Sequence, residues 1–360
     1  MKPAGKRLLV VAPNWLGDSV MAGPAVAALG SSRLAGRVSV LARPSLIDLW
    51  KGFPGVDDVI PLERGRGPIG RLSAMYRMAR ALRARNFDGV LILPPSFSSA
   101  LLVRLAGIPE RAGADTEGRG FLLTHPVESV APRSRHAVVE YLDLARQAFG
   151  VPLPSGPVRL SAAPSRDAGP RFRSLLADSG IPSRNGFIAL GPGATYGPAK
   201  RWPLEHWRVL IDGLLSERRE TLLLVGGSEE ARYLEPLVRG TSRGSDRIRS
   251  LAGKTPTGVL AQLLCASRIF ITNDTGPMHL AAAVGTPVVA LFGSTSPSWT
   301  RPWGRGHRVL CHPVPCSPCF QRRCNIGYPC LRELTPDRVL REAMDLLRRK
   351  SRVGAEELSG

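Results

Sequence analysis

Apolar residues recur at two spacings along the chain, and each spacing predicts one kind of element. Short continuous apolar runs predict buried strands, and apolar residues three and four positions apart predict helices that bury one face. In the first half, strands are predicted at 7–12, 38–41, 58–62 and 89–93, and helices at 18–29, 72–82, 96–105 and 136–149. Such alternation predicts a parallel, doubly wound sheet. The helix at 72–82 is predicted from Leu72, Met75, Tyr76, Ala79 and Leu82.

A proline-rich stretch interrupts this alternation. Residues 151–170 contain five prolines and few regularly spaced apolar residues, which is typical of an interdomain linker. After it, strands are predicted at 187–190, 222–225, 269–272 and 288–292, with helices at 204–215 and 258–266 and a last helix from 335. We therefore expect two α/β domains, at 1–160 and 171–334, and a terminal helix at 335–350. Because ligands of such sheets bind at the carboxyl ends of the strands, a cleft between these edges is the expected site.

Length and composition agree with two domains. The chain has 360 residues, of which 43% are hydrophobic, enough for two cores. No apolar run approaches the roughly 18 residues that a membrane span needs. The first apolar stretch is too short for a signal peptide, so a cytoplasmic protein is expected.

The formal net charge of +20 raises the possibility of nucleic-acid binding. Only six of the 49 basic residues are lysine, and no basic strand with interspersed aromatic residues and no recognition helix accompanies the charge. Basic residues are in local excess over acidic ones at 63–85, where there are seven arginines and one acidic residue. This stretch is either a solvated helix face or a contact with an acidic membrane surface or an acidic acceptor.

The loop at 191–203, GPGATYGPAKRWP, lies between a predicted strand and a predicted helix. Glycines, a hydroxyl and two basic residues in such a loop predict a phosphate site, although an ordinary connecting loop is the alternative. Thr195 is suited to bond phosphate oxygens and Lys200 to act as a point charge. The loop is not a Walker loop, because Lys200 lacks a preceding glycine and a following Ser or Thr.

Two further loops fall at predicted strand ends. In PNWLGD, at 13–18, Asp18 either favours the helix start or acts as a general base. In NDTGPMH, at 273–279, Asp274 and Thr275 either cap a helix or form a second wall for a phosphate or sugar. His279 follows on the helix, where a buried histidine is more often a core residue than a ligand.

Four stretches together resemble one known family. They are NWLGD at 14–18, LPPSFSSALL at 93–102 with AGIPERAG at 106–113, GPAKRWP at 197–203 and NDTGPMHLAAA at 273–283. Over nearly its whole length the chain resembles the bacterial lipopolysaccharide heptosyltransferases. The resemblance implies an α/β fold of the GT-B type, with two Rossmann-like doubly wound parallel-sheet domains facing across a cleft. It also implies an N-terminal acceptor-binding domain, a C-terminal donor-binding domain and a helix at 335–350 that packs back on the first domain.

The resemblance further implies a reaction. Heptose moves with inversion from ADP-heptose to the first heptose of the lipopolysaccharide inner core, at the cytoplasmic face of the inner membrane, with no cofactor required. The stretches at 93–113 and 197–203 favour this acceptor over those of sister transferases that add the first or a later heptose. From another class, a basic nucleic-acid-binding protein is the alternative. A dinucleotide oxidoreductase is disfavoured because GxGxxG follows neither first strand.

Residue roles follow from the same resemblance. Asp18 is expected to be the general base that takes the proton of the acceptor hydroxyl. Asn14, Trp15 and Ser96 are expected on the acceptor side. Residues expected to bind the donor are Thr195, Lys200, Glu229, Lys254, Thr255, Asp274, Thr275, Gly276 and His279.

A cysteine cluster lies outside this scheme. Cys316, Cys319, Cys324 and Cys330 fall within fifteen residues. In an intracellular chain such clustering favours metal over disulfide, and four thiolates suffice for a small tetrahedral structural site. Free thiols and redox-labile disulfides are the open alternatives.

Overall fold

The chain divides into two compact units, Met1–Ala163 and Pro164–Gly360. The computed structural model describes residues 5–128, 133–152, 158–165, 167–182, 186–240 and 245–356. The division falls inside the stretch at 151–170 that we predicted as a linker. Residues 153–157 and 166 of that stretch lie outside the described residues.

The first unit is a six-stranded parallel sheet covered by helices. Its strands are β1 (Lys6–Val11), β2 (Ala35–Ala42), β3 (Asp58–Pro61), β4 (Gly89–Ile92), β5 (Glu110–Ala114) and β6 (His125–Val127). They lie in the order β3-β2-β1-β4-β5-β6. Its helices are α1 (Leu16–Ser31), α2 (Ile47–Lys51), α3 (Gly67–Arg83), α4 (Phe97–Leu105) and α5 (Ala137–Phe149).

The second unit repeats the plan with different residues. Its strands are β7 (Phe187–Gly191), β8 (Thr221–Leu224), β9 (Ile248–Ser250), β10 (Ser267–Asn273), β11 (Val288–Phe292) and β12 (Arg308–Cys311). The parallel order is β12-β11-β10-β7-β8-β9. Its helices are α6 (Ala168–Asp178), α7 (Leu204–Glu217), α8 (Ala231–Arg239), α9 (Thr257–Ala266), α10 (Gly276–Ala283), α11 (Pro297–Thr300), α12 (Pro329–Arg332) and α13 (Pro336–Glu356).

Each sheet has one point at which the strand order reverses. In the first sheet the reversal lies between β1 and β4, whose last residues Val11 and Ile92 are paired neighbours. In the second it lies between β7 and β10, where Gly191 pairs with Thr272. The loops that leave such neighbouring strands diverge to opposite faces and open a crevice that suits a ligand. The loops predicted to carry function are the ones that follow these four strands.

The central strands are continuous apolar runs because helices cover both faces of each sheet. In the first unit, Leu9, Val11, Val90 and Ile92 are buried against α3 and α4. In the second unit the core is built around two fully buried tryptophans, Trp202 and Trp207, whose rings meet edge to face at 5.3 Å. The predicted α/β class of two Rossmann-like, doubly wound sheets is confirmed.

The elements that prediction missed lie mainly at the edges of the sheets. β5, β6, β9 and β12 were not predicted, and neither was α6, which begins inside the predicted linker. Edge strands are short and only half-buried, so their apolar pattern is weak. The sequence of β9, for example, is Ile-Arg-Ser.

The helix predicted at 72–82 is present as α3, but two of the residues that predicted it face outward. Leu72 is 68% exposed and Tyr76 is 70% exposed, whereas Ala79 and Leu82 are buried. The helix packs on the sheet through Ala74, Met78, Ala79 and Leu82 instead. Within the described residues, no helix is both long and apolar enough to cross a membrane.

The terminal helix α13 contributes to the core of the second unit. Its buried residues Val339, Ala343, Leu346 and Leu347 pack in that core beside α7. Its predicted contact with the first domain stays a prediction.

A fully buried arginine anchors the loop that follows β4. Arg119 donates from Nε to the carbonyl of Ala114 at 2.9 Å, and from Nη1 to the carbonyls of Pro94 at 2.7 Å and Ser96 at 3.1 Å. Burial lowers the pKa of Arg119, and the carboxylates of Glu117 and Asp115 oppose this shift. One side chain therefore fixes the β4 loop against the end of β5.

We expect Arg119→Leu to lower the free energy of unfolding by about 3 kcal/mol, because three carbonyls lose their donor in a dry interior. Arg104→Leu is the matched control, since Arg104 is exposed on α4 and should change stability by less than about 0.5 kcal/mol. Urea denaturation measures both. Equal stability of the two variants would contradict this role of Arg119.

Candidate functional site

The carboxylate of Asp18 lies in the first turn of α1, directly after the β1 loop. Trp15 is the N-cap of this helix, and the phenol of Tyr141 on α5 donates a hydrogen bond to Asp18. Burial raises the pKa of Tyr141 well above its ordinary value, and the carboxylates of Asp18 and Glu140 add to the shift. Tyr141 therefore stays protonated and holds Asp18 as its donor. Sequence analysis missed Tyr141, because nothing in the pattern of α5 distinguishes it from a core residue.

Two arginines contact the loop that precedes Asp18. The side-chain oxygen of Asn14 accepts from Arg43 Nε and from Arg64 Nη2, both at 3.0 Å. Both arginines line an open pocket of about 700 Å³, together with Arg77 and Glu63. Burial and the nearby charge of Arg64 lower the pKa of Arg43, as expected where two cations lie close together. An anionic group that entered this pocket would relieve that repulsion.

The other residues expected on the acceptor side lie at the same sheet edge. Trp15 is 59% exposed, so its ring is available for contact. Ser96 precedes α4, and its hydroxyl bonds that of Ser99 at 2.7 Å. Arg119 holds the Ser96 carbonyl, as described above. The reversal point of the first sheet thus brings Asn14, Trp15, Asp18 and Ser96 to the ends of two neighbouring strands.

In the second unit, a buried ion pair joins two predicted site residues that are 74 positions apart. Lys200 Nζ lies 2.5 Å from Asp274 Oδ2, and the side chains are only 14% and 3% exposed. Thr295, after β11, donates its hydroxyl to the same carboxylate oxygen at 2.6 Å. Three loops therefore meet at one carboxylate. The capping interpretation of Asp274 is not supported, because its carboxylate bonds these two side chains.

Asn273 fixes the backbone around this pair. Its amide nitrogen donates to the carbonyls of Pro192 at 2.7 Å and Gly193 at 3.2 Å, and its oxygen accepts from the N–H of Trp202 at 3.2 Å. Asn273 is fully buried, so these bonds are shielded from water. Both ends of the loop at 191–203 are thus tied to the end of β10.

A second cation accompanies Lys200. The Tyr196 ring lies under Lys200 Nζ at 4.9 Å and under the Arg322 guanidinium at 5.3 Å, and its hydroxyl donates to the Phe320 carbonyl at 2.6 Å. The N–H of Ala199 donates to the Arg322 carbonyl at 3.1 Å. Arg322 was missed because it belongs to the cysteine-bearing segment, which has no periodic pattern.

The remaining donor-side candidates lie at the carboxyl ends of strands in the same sheet. Thr195 is exposed, Thr275 and Gly276 begin α10 and are partly buried, and His279 is 3% exposed within α10. Lys254 is exposed and Thr255 partly buried in the turn between β9 and α9.

Glu229 is exposed, whereas the adjacent Glu230 is buried and accepts from the N–H of Gly227 at 2.9 Å. Oε1 of Glu230 has no hydrogen-bond partner among the described residues, and it lies where a side chain at Gly193 would clash. Glu230, not named by sequence analysis, therefore faces the 191–203 loop.

The cysteines do not form the expected metal site. Among the described residues, no three His, Cys, Asp or Glu side chains are grouped so as to hold a metal ion, and all six cysteines are free thiols. Cys330 is buried in the core of the second unit, whereas Cys316 is exposed. Burial raises the pKa of Cys330, and the neighbouring Cys319, Cys316 and Cys324 raise it further. A structural metal is therefore not supported.

Comparison with known proteins identifies the family of the chain. The sequence profile of glycosyltransferase family 9 (heptosyltransferase) matches residues 75–328, which is more than two thirds of the chain. The chain belongs to glycosyltransferase family 9. Lipopolysaccharide heptosyltransferase 2 of Salmonella typhimurium is 31% identical over 354 residues, which cover 95% of this chain and 98% of that relative. The protein of the same name from Escherichia coli K12 is 30% identical, with 95% and 98% covered.

The fold of this family 9 glycosyltransferase is also that of a solved relative. The structure of E. coli ADP-heptose LPS heptosyltransferase II has a TM-score of 0.82 at 28% identity and covers 96% of this chain and 99% of that one. The GT-B class and the heptosyltransferase resemblance are thereby confirmed. The family decides between the two function classes, since the chain is a glycosyltransferase and not a nucleic-acid-binding protein.

A double-mutant cycle tests the buried pair of this glycosyltransferase. Lys200→Met and Asp274→Asn should show a coupling free energy of about 2 kcal/mol or more, because each single change leaves a buried polar partner behind. The exposed pair Arg239–Glu235, at 80% and 48% exposure, is the control and should couple by less than about 0.5 kcal/mol. Denaturation followed by tryptophan fluorescence measures both cycles. Equal coupling in the two cycles would show that the pair does not organise the loops.

Proposed function

We propose that this glycosyltransferase transfers heptose with inversion from ADP-heptose to the first heptose of the lipopolysaccharide inner core. The observation that carries the proposal is the Lys200–Asp274–Thr295 cluster at the reversal point of the second sheet. It lies where doubly wound sheets bind nucleotides. The names of the relatives, lipopolysaccharide heptosyltransferase 2 and ADP-heptose LPS heptosyltransferase II, support both the donor and the acceptor.

The donor diphosphate is proposed to bind between the 191–203 loop and the start of α10. Lys200 and Arg322 supply positive charge, and Thr195, Thr275 and the N–H of Gly276 supply hydrogen bonds. The ion pair with Asp274 neutralises part of the Lys200 charge. It also orients the ammonium, so that one face of it is left for the ligand. His279 is proposed to support this wall from inside α10.

The adenosine is proposed to lie towards β8 and β9. Glu229 or the buried Glu230 would accept from the ribose hydroxyls, and Lys254 and Thr255 would border the adenine. The unpartnered oxygen of Glu230 beside Gly193 supports a carboxylate role at this position.

The chemical step is proposed to be one in-line displacement. The acceptor oxygen forms a bond to the anomeric carbon as the bond from that carbon to the phosphate oxygen breaks. Asp18 takes the proton of the acceptor hydroxyl, and ADP leaves with the bonding electrons. The Tyr141 hydrogen bond holds the Asp18 carboxylate for this role. Cationic side chains and backbone N–H groups stabilise the developing charge on ADP, so a divalent metal is not part of the proposal.

The acceptor is proposed to bind on the first unit, along Asn14, Trp15 and Ser96. The adjacent pocket, with Arg43, Arg64 and Arg77, suits an acidic acceptor. An acceptor anchored in lipid places the reaction at a membrane, and we propose the cytoplasmic face of the inner membrane.

The test is an assay of heptose transfer from ADP-heptose onto acceptors that carry zero, one or two heptoses. We expect turnover on the acceptor with one heptose. Turnover only on the acceptor with zero or with two would instead identify a sister transferase. No transfer onto any of them would refute the proposed function.

In the same assay, Asp18→Asn should lower kcat by about 10² to 10⁴, because a general base is lost. Tyr141→Phe should lower kcat much less, since it removes only the group that holds the base. Near wild-type turnover of Asp18→Asn would exclude Asp18 as the base. Asp48→Asn, a carboxylate in the first turn of α2, serves as the matched control.

A further inference from the structure

The outward face of α3 carries three large apolar side chains that remain exposed in the described structure. Ile69 is 86% exposed, Leu72 is 68% and Tyr76 is 70%. Their spacing of three and four residues places them in one stripe along the helix. Single exposed apolar residues are ordinary, but a contiguous stripe indicates a contact surface.

The stripe is not needed to hold α3 in the fold. The helix packs through Ala74, Met78, Ala79 and Leu82, which are all buried. At 100° per residue Ala74, Met78 and Leu82 point away from the stripe, and Ala79 borders it. The outward residues are therefore available to a partner.

Arginines lie at both ends of the apolar stripe. Arg66 lies three residues before Ile69, and Arg80 and Arg83 continue the stripe beyond Tyr76. Within the part of the chain that the structure describes, Arg66 and Arg80 are exposed and have no ion-pair partner. An apolar centre with unpaired cations at both ends is the pattern of a helix that lies in a membrane interface.

We propose that the outer face of α3 docks on an anionic lipid bilayer. Ile69, Leu72 and Tyr76 enter the boundary between headgroups and acyl chains, while Arg66 and Arg80 pair with lipid phosphates. The biological reason for docking rests on the proposed function, in which the acceptor is a glycolipid.

Charge selects the bilayer over a second copy of the chain. In a symmetric dimer through this face, the same patch meets itself, so the arginines of one copy would face those of the other. Like charges brought together in this way oppose association. An anionic bilayer presents the opposite charge and an apolar interior.

Vesicle flotation of the full chain tests the proposal. Vesicles of phosphatidylethanolamine and phosphatidylglycerol should carry the wild type upward, and phosphatidylcholine vesicles should bind it far more weakly. The triple variant Ile69→Ser, Leu72→Ser, Tyr76→Ser should partition at least about tenfold more weakly onto the anionic vesicles. Arg66→Gln with Arg80→Gln should weaken partitioning by about fivefold per arginine.

Matched controls lie on the second unit. Val209→Ser removes an apolar side chain that is 53% exposed on α7, and Arg219→Gln with Arg232→Gln removes the same charge from exposed positions. We expect the apolar control to float like the wild type and the charge control to stay within about twofold. Equal flotation of the α3 variants and the wild type would overturn the proposal. So would a wild-type dimer on size exclusion that the triple variant dissociates.

Transfer onto a delipidated, water-soluble acceptor separates the two proposals. The α3 variants should keep wild-type turnover there, because none of the residues substituted in them belongs to the proposed site. Absence of transfer by the wild type would refute the proposed function and leave the flotation result standing. Loss of turnover in the α3 variants alone would overturn docking as the role of this face.

Discussion

A carboxylate that is almost fully buried cannot be left without partners, and the candidate site of the second unit depends on this constraint. Asp274 is 3% exposed at the end of β10. Its two partners come from the loops after β7 and β11, so one charge ties three loops together. Asn273 adds neutral bonds to both ends of the β7 loop. The glycine-rich loop is thereby held in a defined shape before any ligand arrives, which reduces the ordering cost of binding.

The first unit uses the same topology with different chemistry. Asp18 also follows a central strand beside a reversal point, but a phenol holds it instead of a buried cation. Asp274 is engaged by a buried ammonium and a hydroxyl, whereas Asp18 lies in the first turn of α1 and accepts from a phenol.

Sequence reasoning found the central strands, the loops after them and the family. These features depend on local pattern, since buried parallel strands are continuous apolar runs and the loops carry distinctive glycines and charges. β5 and the edge strands β6, β9 and β12 were missed because pairing with a neighbour, and not composition, defines them. Contacts between residues that are far apart in the sequence were also missed, because no local pattern marks them. Lys200 and Asp274 were each proposed as ligand contacts, yet their ion pair became visible only in the structure.

The expectation of a metal at the cysteines is not supported, because no three potential ligands among the described residues are grouped so as to hold an ion. The segment that contains the cysteines packs on the 191–203 loop, through the Tyr196–Phe320 and Ala199–Arg322 bonds. Leu72 and Tyr76 show another error. Helical spacing predicted both side chains on the buried face of α3, and both are exposed.

We propose that nucleotide recognition resides on the second unit and proton transfer on the first. Calorimetric titration of ADP into the wild type, Asp18→Asn and Lys200→Met tests it most directly. We expect Lys200→Met to bind ADP at least about tenfold more weakly, as loss of a charge-assisted bond implies, while Asp18→Asn binds like the wild type. Unchanged affinity in Lys200→Met, or loss of ADP binding in Asp18→Asn, would contradict this division of roles.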